Sequence, residues 1–282
     1  MDNEGGNILF EYIYVDTQLA GAFQLPAGVT SINRVMAYFM NHMTPEKNPL
    51  PEPGKCTNLT TAWPMFTGSA REDLDVGTVS MTGKNTAGAD VTITLDKMGP
   101  GIDNIGRKHD LFYQKISPKA GDFLKFNSSY TVNLGGNGPI QATTFTDALF
   151  LSENFSIGTP GLEDDGPLKA TADYTVTWTP MESSNLPAGA EVAGVTWLVD
   201  SKGSPTHMCP VAHSAGTFTI PAATIADYKT VATARGTDPT KVILLRNAIV
   251  HRLQPLPNND ANNKRRIDML TVNCWAQLMN VM

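Results

Sequence analysis

Asp173-Tyr174-Thr175-Val176-Thr177-Trp178-Thr179 alternates without a break: Tyr174, Val176 and Trp178 fall on one side, Asp173, Thr175, Thr177 and Thr179 on the other. Side chains of an extended chain point alternately to opposite faces, so this period of two predicts a half-buried strand. Further strand signals lie in both directions. Toward the C-terminus they are Val192–Asp200, Thr217–Ile220, Val242–Leu253 and Asp268–Leu278. Toward the N-terminus they are the apolar and aromatic Asn7–Val15, the alternating Ser31–His42, and the short runs Asp75–Thr82, Asp90–Asp96, Phe123–Phe126, Tyr130–Leu134 and Phe145–Leu151. Gly83, Gly88, Gly135-Gly136 and Gly138-Pro139 punctuate these runs. Thr44–Lys55 holds four prolines and predicts an exposed extended loop. Only Pro221–Arg235 reads as a helix, with proline in its first turn and Gly236 as its stop.

Many short strands with a single helix predict an all-β protein rather than an α/β sheet. Gly158–Pro167 (GTPGLEDDGP) has little to bury and resembles a linker. The expected organisation is therefore two sandwich-like antiparallel domains, residues 1–160 and 161–282, with one short helix in the second.

Composition narrows the function. The 282 residues carry 21 Lys plus Arg against 27 Asp plus Glu, a net charge of −6. That balance lacks the basic excess needed to neutralise phosphates, so no nucleic-acid partner is expected. With 41% hydrophobic residues the chain can bury a sizeable core, which excludes general disorder. No run approaches the roughly 18–20 apolar residues of a transmembrane helix. Residues 1–6 show neither a basic nor an apolar leader region, as expected of a cytoplasmic protein or of an exported one whose signal has been removed. The 31 Thr and the scarcity of charge, 17%, favour export.

Chemistry-bearing clusters are few. His207, Met208, Cys209 and His213 bring imidazole, thioether and thiolate together, the ligand set of a copper site. The methionine that a blue-copper loop places after its second histidine is missing, since Ser214-Ala215-Gly216-Thr217 follows. The alternative is a strand end in which Cys209 is buried or disulfide-bonded. Cys209 and Cys274, 65 residues apart on strands of one half, are the disulfide candidates; three buried free thiols are the other reading. Asp103, Asn104, His109 and Asp110, or Glu163, Asp164 and Asp165, offer oxygen ligands for calcium in an order that departs from the usual calcium loop. No G-x-S-x-G elbow or phosphate-cradling glycine motif is present. Lys264-Arg265-Arg266 reads as a charged start to an edge strand, and the sequons at Asn58, Asn127 and Asn154 arise readily by chance in a Thr-rich chain.

Four phrases then fall in a recognisable order: Asp75-Val76-Gly77 with Thr82-Gly83, Ala172 to Pro180 (ADYTVTWTP), His207-Met208-Cys209, and Gly216 to Ala222 (GTFTIPA). Together they resemble uncharacterised secreted or lipid-anchored β-sandwich proteins of myxobacterial type, over most of the chain from about Leu74 onward. The resemblance implies a bacterial exported protein, of the cell surface or a lipoprotein, and brings no activity. The resulting expectation is a non-catalytic cell-envelope or extracellular protein that binds a glycan or protein, or self-assembles, through loops or a sheet edge. Copper binding or redox chemistry at His207, Met208, Cys209 and His213 is the alternative.

Overall fold

A computed structural model describes residues 5–15, 17–22, 31–40, 53–59, 72–102, 108–117, 125–151, 166–181, 186–257 and 266–282. The N-terminal half contributes β1 (Gly5–Val15), α1 (Thr17–Ala22), β2 (Ser31–Met40), β3 (Thr57–Asn58), β4 (Val79–Lys84), β5 (Asp90–Thr94), β6 (Asp96–Met98), β7 (Gly101–Ile102), β8 (Lys108–His109), β9 (Phe112–Ser117), β10 (Ser128–Leu134) and β11 (Thr143–Leu151). The C-terminal half adds β12 (Tyr174–Thr177), β13 (Glu191–Val199), β14 (Pro205–Val211), β15 (Thr217–Ile220), α2 (Ala222–Ala234), β16 (Lys241–Pro255) and β17 (Arg266–Asn280). The protein is all-β, as the alternation predicts.

Nine strands make one sheet in the order β3-β14-β13-β16-β17-β1-β2-β9-β6, and β11-β10-β4-β5 make a second. The backbone of the large sheet is the β16–β17 pair, in unbroken antiparallel register from Lys241 opposite Asn280 to Pro255 opposite Arg266. At about 3.4 Å per residue this ladder runs roughly 50 Å. β1 lies on the other side of β17 and runs parallel to it, with Gly5 opposite Arg266 and Val15 opposite Ala276. Two features of the expected organisation change here. The large sheet takes strands from both sides of the 160/161 boundary, and its central join is parallel where antiparallel sandwiches were expected. Local periodicity reports which residues are extended; it carries no information about which distant strand completes the ladder.

β17 shows why the sheet has two unlike faces. Its odd positions, from Ile267 and Met269 through Thr271, Asn273, Trp275 and Gln277 to Met279, share one face; Leu270, Val272, Cys274 and Ala276 share the other. On the odd face the apolar core is double. At one end Ile8, Phe10, Val35, Ala37 and Ile267 pack against Val79, Met81, Ile93, Val132 and Leu149 of the four-stranded sheet, a sandwich. At the other end Leu198, Leu244 and Met279 are covered by Val176 and Ile220 of the β12–β15 pair and by Ile225, Tyr228 and Ala232 of α2. The spacing of those helical residues puts them on one stripe. Phe218 packs at the rim of this second core, and Trp178 is buried in it, in keeping with the scaffold role its alternation implies. The opposite sheet face buries Leu9, Val195, Leu270, Val272 and Cys274, with α1 lying beside β17.

Two element bounds shift for local reasons. The run predicted from Asp75 begins only at Val79, because the Asp75 carboxylate accepts the backbone N–H of Gly77 at 2.9 Å and Gly77 sits at φ 76°, a left-handed turn. Within the Phe123–Phe126 run, the described residues 125 and 126 are not a strand; Phe126 packs edge-on against Tyr12 at 5.1 Å. Arg266 opens the central strand of the large sheet rather than an edge strand. Of the Pro-rich run, 44–52 lies outside the described residues, as do the linker residues 158–165, Lys264 and Arg265.

Candidate functional site

The predicted ligand residues sit on or just after β14, and the structure disperses them. His207 and Cys209 point to the face carrying α2, while Met208, between them, points to the opposite face and packs with Val195 and Leu270. Cys209 is bonded to Cys56 across 153 residues, which corrects the Cys209–Cys274 pairing; Cys274 is a buried free thiol on β17, paired in register with Ile13 and Asn247. Burial pushes that thiol far up from its ordinary pKa. His213 lies in the 3-10 turn His213–Ala215, where its Nε2 accepts the backbone N–H of Met181 at 2.9 Å. With a disulfide in place of a thiolate and Met208 facing away, these four side chains do not form one ligand set. Among the described residues no cluster of three or more His, Cys, Asp or Glu side chains suits a metal ion. Of the calcium candidates, Asp110 is exposed and its backbone N–H donates to Asp73 at 2.6 Å. Asp103, Asn104 and Glu163 to Asp165 lie outside the described residues, and His109 falls in β8.

What β14 does assemble is a hydrogen-bonded edge. His207 Nε2 faces Asp227 Oδ2 of α2 at 2.9 Å, and Asn58 Nδ2 of β3 donates to that same oxygen at 2.9 Å. His207, then Asn58, hold the Asp227 carboxyl below the usual carboxylate range. On its other side His207 Nδ1 lies 3.2 Å from Thr206 Oγ1. A hydroxyl, an imidazole and a carboxylate in a row have the composition of a nucleophile with its base. The hydroxyl fails that role, because Thr206 is fully buried and donates its hydrogen to the carbonyl of Leu198 at 2.8 Å. Arg235, at the C-terminal end of α2, spans the same edge, donating to the carbonyls of Pro205 at 2.9 Å and Leu59 at 3.0 Å. No sequence motif links Asp227, Asn58 and Arg235, and a 153-residue separation hides Cys56.

A second polar concentration lies between the two apolar cores. Ser31, Tyr14, Trp275, Arg246, Thr196 and Cys209 are successive cross-strand partners, one straight row over six strands. Tyr14 stacks on Trp275 at 4.4 Å with ring planes 16° apart, and Arg246 Nη2 donates to Gln277 at 2.9 Å. Burial, together with the Tyr12 hydroxyl, raises the Tyr14 pKa far above its ordinary value. Beside this row Trp178, Gly194, Thr196, Val211, His213 and Arg246 line a cavity of about 10 Å³, room for about one water molecule. The row therefore knits the two cores through ordered polar contacts, and the cavity beside it is too small for an organic ligand.

Exposed apolar side chains mark a different region. Met98 on β6 and Ile116 on β9 are 43% and 54% exposed. Among the described residues β6 pairs only with Phe112–Gln114 of β9, and no described strand pairs with the far end of β9 on that side. No helix among the described residues is long and apolar enough to cross a membrane. A scan against protein-family models, a search of curated proteins and a search of solved structures give no match for this chain.

Proposed function

We propose that this chain is an exported, non-catalytic protein of the cell envelope or extracellular space that works by binding or assembly along its sheet edge. The Cys56–Cys209 bond carries the reading: it joins the two halves of the sequence, and such bonds persist in oxidising compartments. The side chains best suited to chemistry support it, since Cys209, His207, Asp227 and His213 are engaged in cross-links of the scaffold. Met98 and Ile116 at the β6–β9 edge favour a protein partner over a glycan, because Trp178 is buried and one face of Trp275 is taken by Tyr14. The test is the reduction potential of Cys56–Cys209, read by non-reducing peptide mapping after equilibration in graded thiol buffers. A value below about −300 mV is expected of a structural bond in an exported protein. A value above about −260 mV overturns the reading.

A further inference from the structure

We propose that residues 53–59 form a strap over the outer edge of β14, that the Cys56–Cys209 bond latches it, and that a dithiol reductant releases it while the sheet beneath stays folded. The inference rests on the proposed reading that this disulfide forms in the mature protein.

Among the described residues the strap joins the sheet through few contacts besides the bond. Its ladder is two residues long, Thr57 opposite Met208 and Asn58 opposite His207. The backbone N–H groups of Gly54 and Leu59 add bonds to the carbonyls of Pro210 at 3.2 Å and Thr206 at 2.8 Å. Among the described residues the remaining ties are the Asn58–Asp227 and Arg235–Leu59 hydrogen bonds, both at exposed positions. Two-residue pairings do not persist on their own. A cross-link across so many residues supplies the closure entropy that the ladder lacks. By contrast β14 itself holds to β13 from Gly194–Val211 to Val199–Pro205, and β13 holds to β16 along its own full length, from Glu191–His251 to Val199–Ile243.

The two sulfurs differ in access. Cys56 is half-buried in a stretch whose residues 53–55 are exposed, whereas Cys209 is fully buried. A thiolate of the reductant attacks Cys56 Sγ, and Cys209 leaves as a thiolate that takes up a proton. The second thiol of the reductant then closes its own disulfide and frees Cys56 as a thiol, so two electrons and two protons pass to the protein. Release uncovers the stretch between Pro205 and Pro210. Proline has no backbone N–H to offer, so these two residues bracket the window and confine it to Thr206 through Cys209. An edge trimmed in this way is one whose pairing is controlled.

Hydrogen exchange by mass spectrometry tests the latch on the full chain in three states: oxidised, reduced with dithiothreitol, and Cys56→Ser. Amides at 54–59 are expected to exchange at least ten-fold faster in the reduced protein and in Cys56→Ser, with β16 and β17 unchanged. Equal protection of 54–59 in oxidised and reduced protein overturns the strap. Loss of protection throughout β16 and β17 overturns it as well, by showing that the bond holds the whole fold. A peptide map of the oxidised protein without a Cys56–Cys209 fragment instead defeats the underlying reading of the disulfide.

Discussion

His213 Nε2 accepts the backbone N–H of Met181 at 2.9 Å, which fixes the imidazole as its neutral Nδ1–H tautomer. Trp178, whose Nε1 donates to the His213 carbonyl at 2.7 Å, lies alongside the ring and helps seal it from water. Burial lowers the His213 pKa to about 4 from the ordinary 6.5. Between those values the unfolded chain binds a proton that the folded chain refuses, so stability is complete above the upper value and falls as pH drops toward the lower. Denaturant titration is expected to show about 2 kcal/mol lost between pH 7 and pH 4.5 through this residue. His213→Gln should have a correspondingly flatter profile, and identical pH profiles would contradict the assignment.

Gly83 of β4 lies under the ring of Tyr130, whose hydroxyl accepts the backbone N–H of Lys125 at 2.8 Å and lies 3.1 Å from the carbonyl of Lys84. A Cβ at position 83 would overlap that ring. Gly83→Ala is expected to cost about 1–3 kcal/mol in thermal or chemical denaturation, the usual range for overpacking. Gly166→Ala, where an added Cβ meets nothing within 4 Å, is the control and should change stability by less than about 0.5 kcal/mol.

Asp75 gathers Lys97 Nζ at 2.6 Å, the Tyr113 hydroxyl at 2.8 Å and the backbone N–H of Gly77 at 2.9 Å. Lys97 foremost, then Gly77 and Tyr113, hold the carboxyl well below the usual carboxylate range. The site is solvent-screened, so Asp75→Asn is expected to cost only about 1 kcal/mol at pH 7. A depressed carboxylate stabilises above its unfolded pKa and loses that contribution as pH falls, so the gap between native protein and variant should narrow below about pH 4. A gap that widens toward acid would refute the ion-paired role.

Cys274, buried on the central strand, should be inert to iodoacetamide in the native oxidised protein and should take up one equivalent per chain in guanidinium chloride. Labelling of Cys56 or Cys209 in place of Cys274 would reverse the pairing described here.

The strands that could be read from the sequence are those whose faces differ. Tyr174–Thr177 and Thr217–Ile220 lie within the runs that alternation marks, because one side of each meets the α2-covered core. Phe112–Ser117 is not marked, since Tyr113 packs into the sandwich while Ile116 remains exposed at the edge, leaving no clean period. Pro205 and Pro210 give β14 the look of a strand end, yet six of its seven residues pair with β13, the register shifting at Thr206. At the site, the histidines and Cys209 stand out by residue type. Asp227 on a helix face, Asn58 in a two-residue strand and Cys56 far upstream become partners only through topology.

The parallel seam between β1 and β17 sets a timetable for biogenesis. When Gly5–Val15 leaves the ribosome, the strand that will flank it is still about 260 residues from being made, and long-range pairings of this kind form late. β2 arrives early and supplies one neighbour, but the second flank stays vacant until β17 is made. During that interval Leu9 and Phe10, on opposite sides of the strand, are open to misassociation. A holdase that shields Gly5–Val15 would therefore be expected to raise the yield of folded protein more than one acting on the β16–β17 hairpin, whose two arms are made in quick succession.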